Sequence, residues 1–181
     1  MPDLPKWEIS HIGIFVTDIV KMRDFYTRLL GFKVMDSGEM KNGQHLTFLS
    51  KDPKDHHQIV LVSGRAKGTP STINQLTFRV ASIKEVRFMH DLLVQNKVEG
   101  IDPVDHGNAW SVYFRDPEGN RLEFFCDTPW YVAQPRRDAL DFSLSDKEIE
   151  ETTRKRVKDD PTTKPFADWR RAKAKEMGLA R

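Results

Sequence analysis

Three side chains capable of binding a metal stand at related places in a sequence that repeats itself: His11, Gln75 and Glu123. The stretch His11-Ile-Gly-Ile-Phe-Val-Thr-Asp-Ile19 aligns with Gln75-Leu-Thr-Phe-Arg-Val-Ala-Ser-Ile83 at an offset of 64 residues. Further on, Gln58-Ile-Val-Leu-Val-Ser63 aligns with Arg121-Leu-Glu-Phe-Phe-Cys126 at an offset of 63. His11 therefore answers to Gln75, and Val60 to Glu123. Alternate residues of a strand share a face, so Glu123 points away from Leu122 and Phe124, which read as core. A carboxylate set among such residues is costly to bury unless something neutralises it, and a divalent cation would do so. Singly, each residue has a plainer role: a His opening a strand at the surface, an ordinary polar Gln, a Glu on a solvated face. Their pseudo-symmetric placement is what joins them. One nitrogen, one amide oxygen and one carboxylate leave coordination positions open, as oxygen and carbonyl chemistry requires.

The elements that must position these groups follow from the repeat. Each half begins with a short apolar strand, a polar cap and a helix. Apolar residues at Ile19, Met22, Phe25, Leu29 and Leu30, and again at Ile83, Val86, Met89, Leu92 and Leu93, recur in steps of three and four and give each helix one apolar stripe. Thr17 or Asp18 can cap the first helix, Ser82 with Glu85 has capping-box spacing for the second, and Gly31 suits the residue just past a helix end. Strands are expected over residues 32–35 and 45–49 in the first half, with Asn42-Gly43 as a hairpin turn, and over 100–104 and 109–114 in the second. Asp116-Pro-Glu-Gly-Asn120 is turn chemistry joining the last two strands. Each half reads β-α-β-β-β. The expected class is α+β: two βαβββ modules, about 8–64 and 72–126, forming a curved half-open mixed sheet around a metal cleft, within a domain of residues 1–126.

Residues 127–181 differ in character, with 13 Lys and Arg, 11 Asp and Glu, and several prolines. A helix over 145–158 is expected, opening at a Ser145-x-x-Glu148 cap. Trp130, Tyr131, Phe142, Ile149, Phe166 and Trp169 are too many large apolar groups for a purely solvated tail, so this extension is expected to pack on the core or on a partner subunit. Beyond Asp159 a partly disordered tail is equally compatible with the composition. The whole chain of 181 residues carries 29 Lys and Arg against 27 Asp and Glu. A net charge of +2 makes no electrostatic case for nucleic-acid binding. No apolar run approaches the roughly 20 residues of a membrane span, and Met1-Pro-Asp-Leu-Pro-Lys6 has no apolar leader. The single cysteine, Cys126, supports neither an internal disulfide nor a thiolate cluster. A cytoplasmic protein is the expectation.

The combination His11-Ile-Gly-Ile-Phe-Val, Phe25-Tyr26, Leu30-Gly31-Phe32 and Trp110-Ser-Val-Tyr-Phe-Arg-Asp-Pro-Glu-Gly-Asn-Arg-Leu-Glu123 resembles the vicinal oxygen chelate superfamily over about residues 8–126. That superfamily holds glyoxalase I, bleomycin-resistance proteins, epimerases and type I extradiol dioxygenases. The likeness is strongest to single-domain extradiol dioxygenases, which cleave catechols with O2 at Fe(II), sometimes Mn(II), held by two His and one Glu. Carried over by position, the ligands are His11, Gln75 and Glu123, so Gln75 replaces the second His. An amide keeps the formal charge of the site but binds Fe(II) more weakly than imidazole. The resemblance also implies that His57, in the pair His56-His57, is an acid/base, that Tyr113 hydrogen-bonds the substrate, and that His106 helps close the pocket.

Other readings within the resemblance stay open. Glyoxalase I tolerates Gln as a ligand but commonly has a proton-transferring Glu where this chain has Val60. Bleomycin-resistance relatives bind a ligand in the same cleft without catalysis. Phe48, Trp110 and Phe125 are candidates to line a pocket for an aromatic molecule. The expected partners are a small aromatic substrate and O2, in a homo-oligomer, with no nucleic acid and no membrane.

Overall fold

A computed structural model of the protein describes residues 8–179. The N-terminal segment read above for a leader, residues 1–6, lies outside them. The chain divides into two compact units. The first takes Met1–Thr72 together with the turn Asp116–Gly119, and the second takes Ile73–Arg115 and Asn120–Arg181.

The first unit is built on a four-stranded sheet of β1 (Ile12–Val16), β2 (Lys33–Glu39), β3 (His45–Ser50) and β4 (Ile59–Ser63) in the order β1-β4-β3-β2. The β1–β4 pair is parallel and the others are antiparallel. Helix α1 (Ile19–Asp24) opens at Asp18, whose carboxylate accepts from Lys21 N at 3.0 Å. It continues as a π-helical turn, Phe25–Leu29. This widened turn alters the expected stripe: Met22, Tyr26 and Leu30 are buried, whereas Phe25 is only half-buried. Ile14, Val16, Ile59, Leu61 and Leu49 form the facing core on the sheet. Gly31 follows the helix at φ 75°, a left-handed conformation that costs glycine little. The β2 strand runs four residues beyond its expected end. It is an edge strand exposed along its whole length, so no buried face imposed an alternation to read. The Asn42-Gly43 hairpin is present, with Gly43 N donating to Met40 O at 2.9 Å.

The second unit repeats the plan with β5 (Leu76–Arg79), α2 (Ile83–Gln95), β6 (Asp102–Asp105), β7 (Ala109–Arg115) and β8 (Arg121–Asp127). These four strands lie in the order β6-β7-β8-β5, with β5 and β8 parallel. The pairing matches the sequence repeat residue by residue. Ile12 faces Ile59 and Gly13 faces Val60 in one sheet, while Leu76 faces Leu122 and Thr77 faces Glu123 in the other. The α+β class and the two βαβββ modules therefore stand. The cap of α2 differs from expectation. Ser82 makes no side-chain cap; Glu85 instead accepts from Ala81 N at 2.8 Å.

The chain after β8 packs within this second unit. Strand β10 (Asp138–Ala139) extends the sheet beside β6, and β9 (Trp130–Tyr131) pairs with β11 (Lys164–Pro165). Helix α3 (Asp146–Val157) has the expected Ser145–Glu148 capping box and buries Ile149, Thr153 and Val157. Arg87 of α2 holds the approach to α3, donating to the carbonyls of Phe142 and Leu144 and to the Asp146 carboxylate. Past Asp159 the chain forms a helix, α4 (Phe166–Glu176), with Trp169 stacked on Tyr131 at 4.9 Å between ring centroids.

Candidate functional site

In the second unit, Glu123 lies in mid-strand on β8, between Thr77 of β5 and Tyr113 of β7 in register. Strand alternation puts Gln75, Thr77, Glu123, Phe125, Tyr113 and Ser111 on one face. Leu122, Phe124, Val112 and Phe114 take the other, against α2. Glu123 is only 5% exposed. Its Oε2 accepts from Gln75 Nε2 at 2.8 Å and from Thr77 Oγ1 at 2.9 Å. It has no ion-pair partner among the described residues. A buried carboxylate satisfied only by neutral donors suits a divalent cation, and oxygen donors suit a hard one. Gln75 presents its amide nitrogen to Glu123, so ligation through Oε1 requires that amide to turn over. Among the described residues, no group of three or more His, Cys, Asp and Glu is arranged to hold a metal ion.

Tyr113 and His106 meet on this same face. The His106 Nε2 to Tyr113 hydroxyl distance is 2.9 Å, and His106 Nδ1 lies 2.6 Å from the carbonyl of Arg136. A carbonyl can only accept, so Nδ1 carries the proton. That tautomer leaves Nε2 as an acceptor for the phenol, whose single O–H it shares with Glu123. Burial, followed by the hydrogen bond and the charge of Glu123, pushes the Tyr113 pKa up to about 12, against the opposing pull of Arg121 and Arg137. Tyr113 is therefore a neutral hydroxyl at physiological pH. The Arg121 guanidinium lies over its ring at 3.9 Å.

His11 and His57 belong to the first unit, where their ring centroids are 4.2 Å apart. His11 is exposed, with Nδ1 at 3.3 Å from Ser10 Oγ. His57 Nδ1 lies 2.9 Å from His56 Nδ1, and Phe48 flanks both rings. Burial first, then His11 and His56, lowers the His57 pKa, so its ring favours the neutral form.

The structure thus brings together Gln75 with Glu123, His106 with Tyr113, and His11 with His57. Trp110 does not share the face of Glu123: its indole N–H is bound by Thr153 of α3 at 2.8 Å, on the opposite side of the sheet. Thr77 and Arg121 were missed, although each lies two residues along the chain from an expected ligand. The Arg136 carbonyl was missed because nothing local in the sequence marks it.

Comparison with known proteins agrees with this plan. A stretch 27% identical over 126 residues relates the chain to biphenyl-2,3-diol 1,2-dioxygenase 3 of Rhodococcus globerulus, covering 66% of this chain. It covers only 63% of that relative, so the chain spans less than two thirds of its length. Among solved structures, a glyoxylase/bleomycin resistance protein/dioxygenase domain from Frankia sp. EAN1pec superposes with a TM-score of 0.58 at 21% identity, covering 68% of this chain and 99% of that one. A fosfomycin resistance protein from Listeria monocytogenes, solved with Mn(II) and sulfate, gives 0.53 at 21% identity, covering 67% and 93%. These likenesses establish fold. The family model for the Glyoxalase/Bleomycin resistance protein/Dioxygenase superfamily matches residues 8–124, the whole of the duplicated region. With that match and the shared register of its two sheets, the chain belongs to that superfamily.

Proposed function

We propose that the protein is a metal-dependent ring-cleavage dioxygenase of the extradiol type, acting on a catechol-like aromatic with O2. The observation that carries this reading is the buried, unpaired carboxylate of Glu123 on the face that also presents the His106–Tyr113 pair. Gln75 and Glu123 are the proposed ligands from the second unit and His11 the proposed ligand from the first, with Fe(II) as the metal and Mn(II) as the alternative. When bound, such an ion acidifies the diol and brings it together with oxygen. Tyr113, a neutral hydroxyl, turns its single O–H from His106 Nε2 to a substrate oxygen and stabilises charge that develops there. His57 accepts a substrate proton and returns it later. His106 orients the phenol. The first-unit counterpart of Glu123 is Val60, an apolar residue, which argues against a glyoxalase-like proton transfer by a second carboxylate.

One observation favours a second reading, a binding protein without a metal. Gln75 and Glu123 satisfy each other through the 2.8 Å hydrogen bond, with the amide nitrogen rather than its oxygen turned to the carboxylate. Protein purified without chelators, analysed for metal, and then assayed for oxygen uptake with a catechol panel that includes biphenyl-2,3-diol separates the two. The dioxygenase reading expects one divalent ion per chain, lost in Glu123→Ala and retained in His57→Phe, with turnover abolished in both. Protein that takes up neither Fe(II) nor Mn(II) anaerobically, yet binds an aromatic diol, would overturn it in favour of the binding reading.

A further inference from the structure

The family-model match ends at residue 124, yet the site does not. His106 stands in the loop between β6 and β7, and three parts of the C-terminal extension close on that loop. The Arg136 carbonyl takes His106 Nδ1–H at 2.6 Å, and Gln134 Nε2 donates to the His106 carbonyl at 2.8 Å. At the next residue, a Cβ added to Gly107 would meet Val132 at 2.6 Å and Val157 at 3.0 Å, so the extension lies directly against the loop backbone. Val132 and Val157 are themselves buried.

The segment that carries the Arg136 carbonyl is fixed from several sides. The Arg136 side chain donates to Asp138 Oδ2 at 2.9 Å and to the Arg156 carbonyl at 3.0 Å. Asp138 pairs with Asp105 in the sheet. Arg156 donates to Ala139 O at 2.9 Å and to the buried Asp105 carboxylate at 3.0 Å. Arg137 pairs with Asp102, the residue facing Tyr113 in register.

We propose that the extension is a positioning element of the site: the Arg136 carbonyl holds His106 as its Nδ1–H tautomer, so that Nε2 accepts from Tyr113 and aims the phenol. The free side chain favours the other tautomer, with the proton on Nε2, so the carbonyl must impose this one. Arg136 acts through His106 and is a positioning residue. The consequence for turnover rests on the ring-cleavage reading; the tautomer does not.

The test is the imidazole 15N spectrum of the full-length protein, with the His106 signals assigned by His106→Gln. The wild type is expected to show Nδ1–H. Arg136→Ala, which releases the side-chain ties of this segment, should shift the tautomer ratio toward Nε2–H by about tenfold, the scale one hydrogen bond supports. Gln134→Ala, an exposed residue whose loss leaves the core intact, should shift it in the same direction but less, and Arg136→Lys should restore part of the wild-type ratio. A wild-type ring protonated on Nε2, or a ratio unmoved in both alanine variants, would overturn the proposal. Because the readout needs neither metal nor turnover, an inactive protein with the expected tautomer would count against the dioxygenase reading alone.

Discussion

Replacing Thr153 with Val tests how α3 is bound to the second sheet. Thr153 is fully buried, and its hydroxyl works twice: it accepts from the Trp110 indole N–H at 2.8 Å and donates to Asp105 Oδ2 at 2.8 Å. Valine keeps the volume but leaves the indole N–H without its acceptor, which costs about 1–3 kcal/mol. It also removes a hydrogen bond to a carboxylate, worth about 1.5–3 kcal/mol. Asp105 retains Arg156 and the amide of Gly107 at 2.8 Å, which places the second term at its lower end. The expected loss is about 3 kcal/mol, a large share of the roughly 5–15 kcal/mol that stabilises a typical domain. Urea unfolding followed by circular dichroism should show a lower midpoint with an unchanged slope. Thr153→Ser keeps the hydroxyl and should lose only about 1 kcal/mol for the methyl group. In the background of Trp110→Phe the Val substitution should cost about 1 kcal/mol less, because the orphaned donor is gone. Val and Ser variants of equal stability, or a Val variant within about 0.5 kcal/mol of wild type, would refute the reasoning, since such a change is no larger than that of an ordinary surface substitution.

Two further outcomes follow from the second unit. The Ser111 hydroxyl is buried without a hydrogen-bond partner among the described residues, so Ser111→Ala should leave stability unchanged or raise it by about 1 kcal/mol in the same assay. A loss would mean that the hydroxyl is bonded. Burial pushes the Cys126 thiol from 9.0 to about 12. The folded chain therefore keeps a proton that the unfolded chain releases above 9.0. The stability this contributes is fully present below that value and declines as pH rises toward 12, by about 1.4 kcal/mol per unit. Unfolding measured between pH 8 and 10.5 should show this extra slope in the wild type and not in Cys126→Ala; parallel profiles would refute it.

Much of the fold was legible because a repeat states each module twice. The apolar strands around Ile14, Leu61, Leu122 and Phe124 have buried faces, and burial writes a pattern into sequence. The capping box at Ser145 was legible for a related reason, since two residues three apart satisfy each other locally. The length of β2 was not, because an exposed edge leaves Asp36, Ser37 and Gly38 free to be polar. The π-helical turn was hidden as well: shifting burial from Phe25 to Tyr26 exchanges one aromatic for its neighbour and barely alters the periodicity. In the site, Glu123 announced itself as an acid between core residues. The partner of His106 could not, because it is a backbone carbonyl 30 residues away, and every residue type carries one.

The turn Asp116–Gly119 bears on how this duplicated protein could be divided. It is encoded within the second repeat but belongs structurally to the first unit. There Glu118 takes the amides of Thr17 and Asp18, each at 2.7 Å, while Asp116 receives the Tyr26 hydroxyl at 3.4 Å. A gene cut between its two copies would yield a leading fragment missing both acids, with the amides ahead of its helix bare and a buried phenol unmatched. The repeat is legible in the sequence, but the folded chain does not divide at that seam.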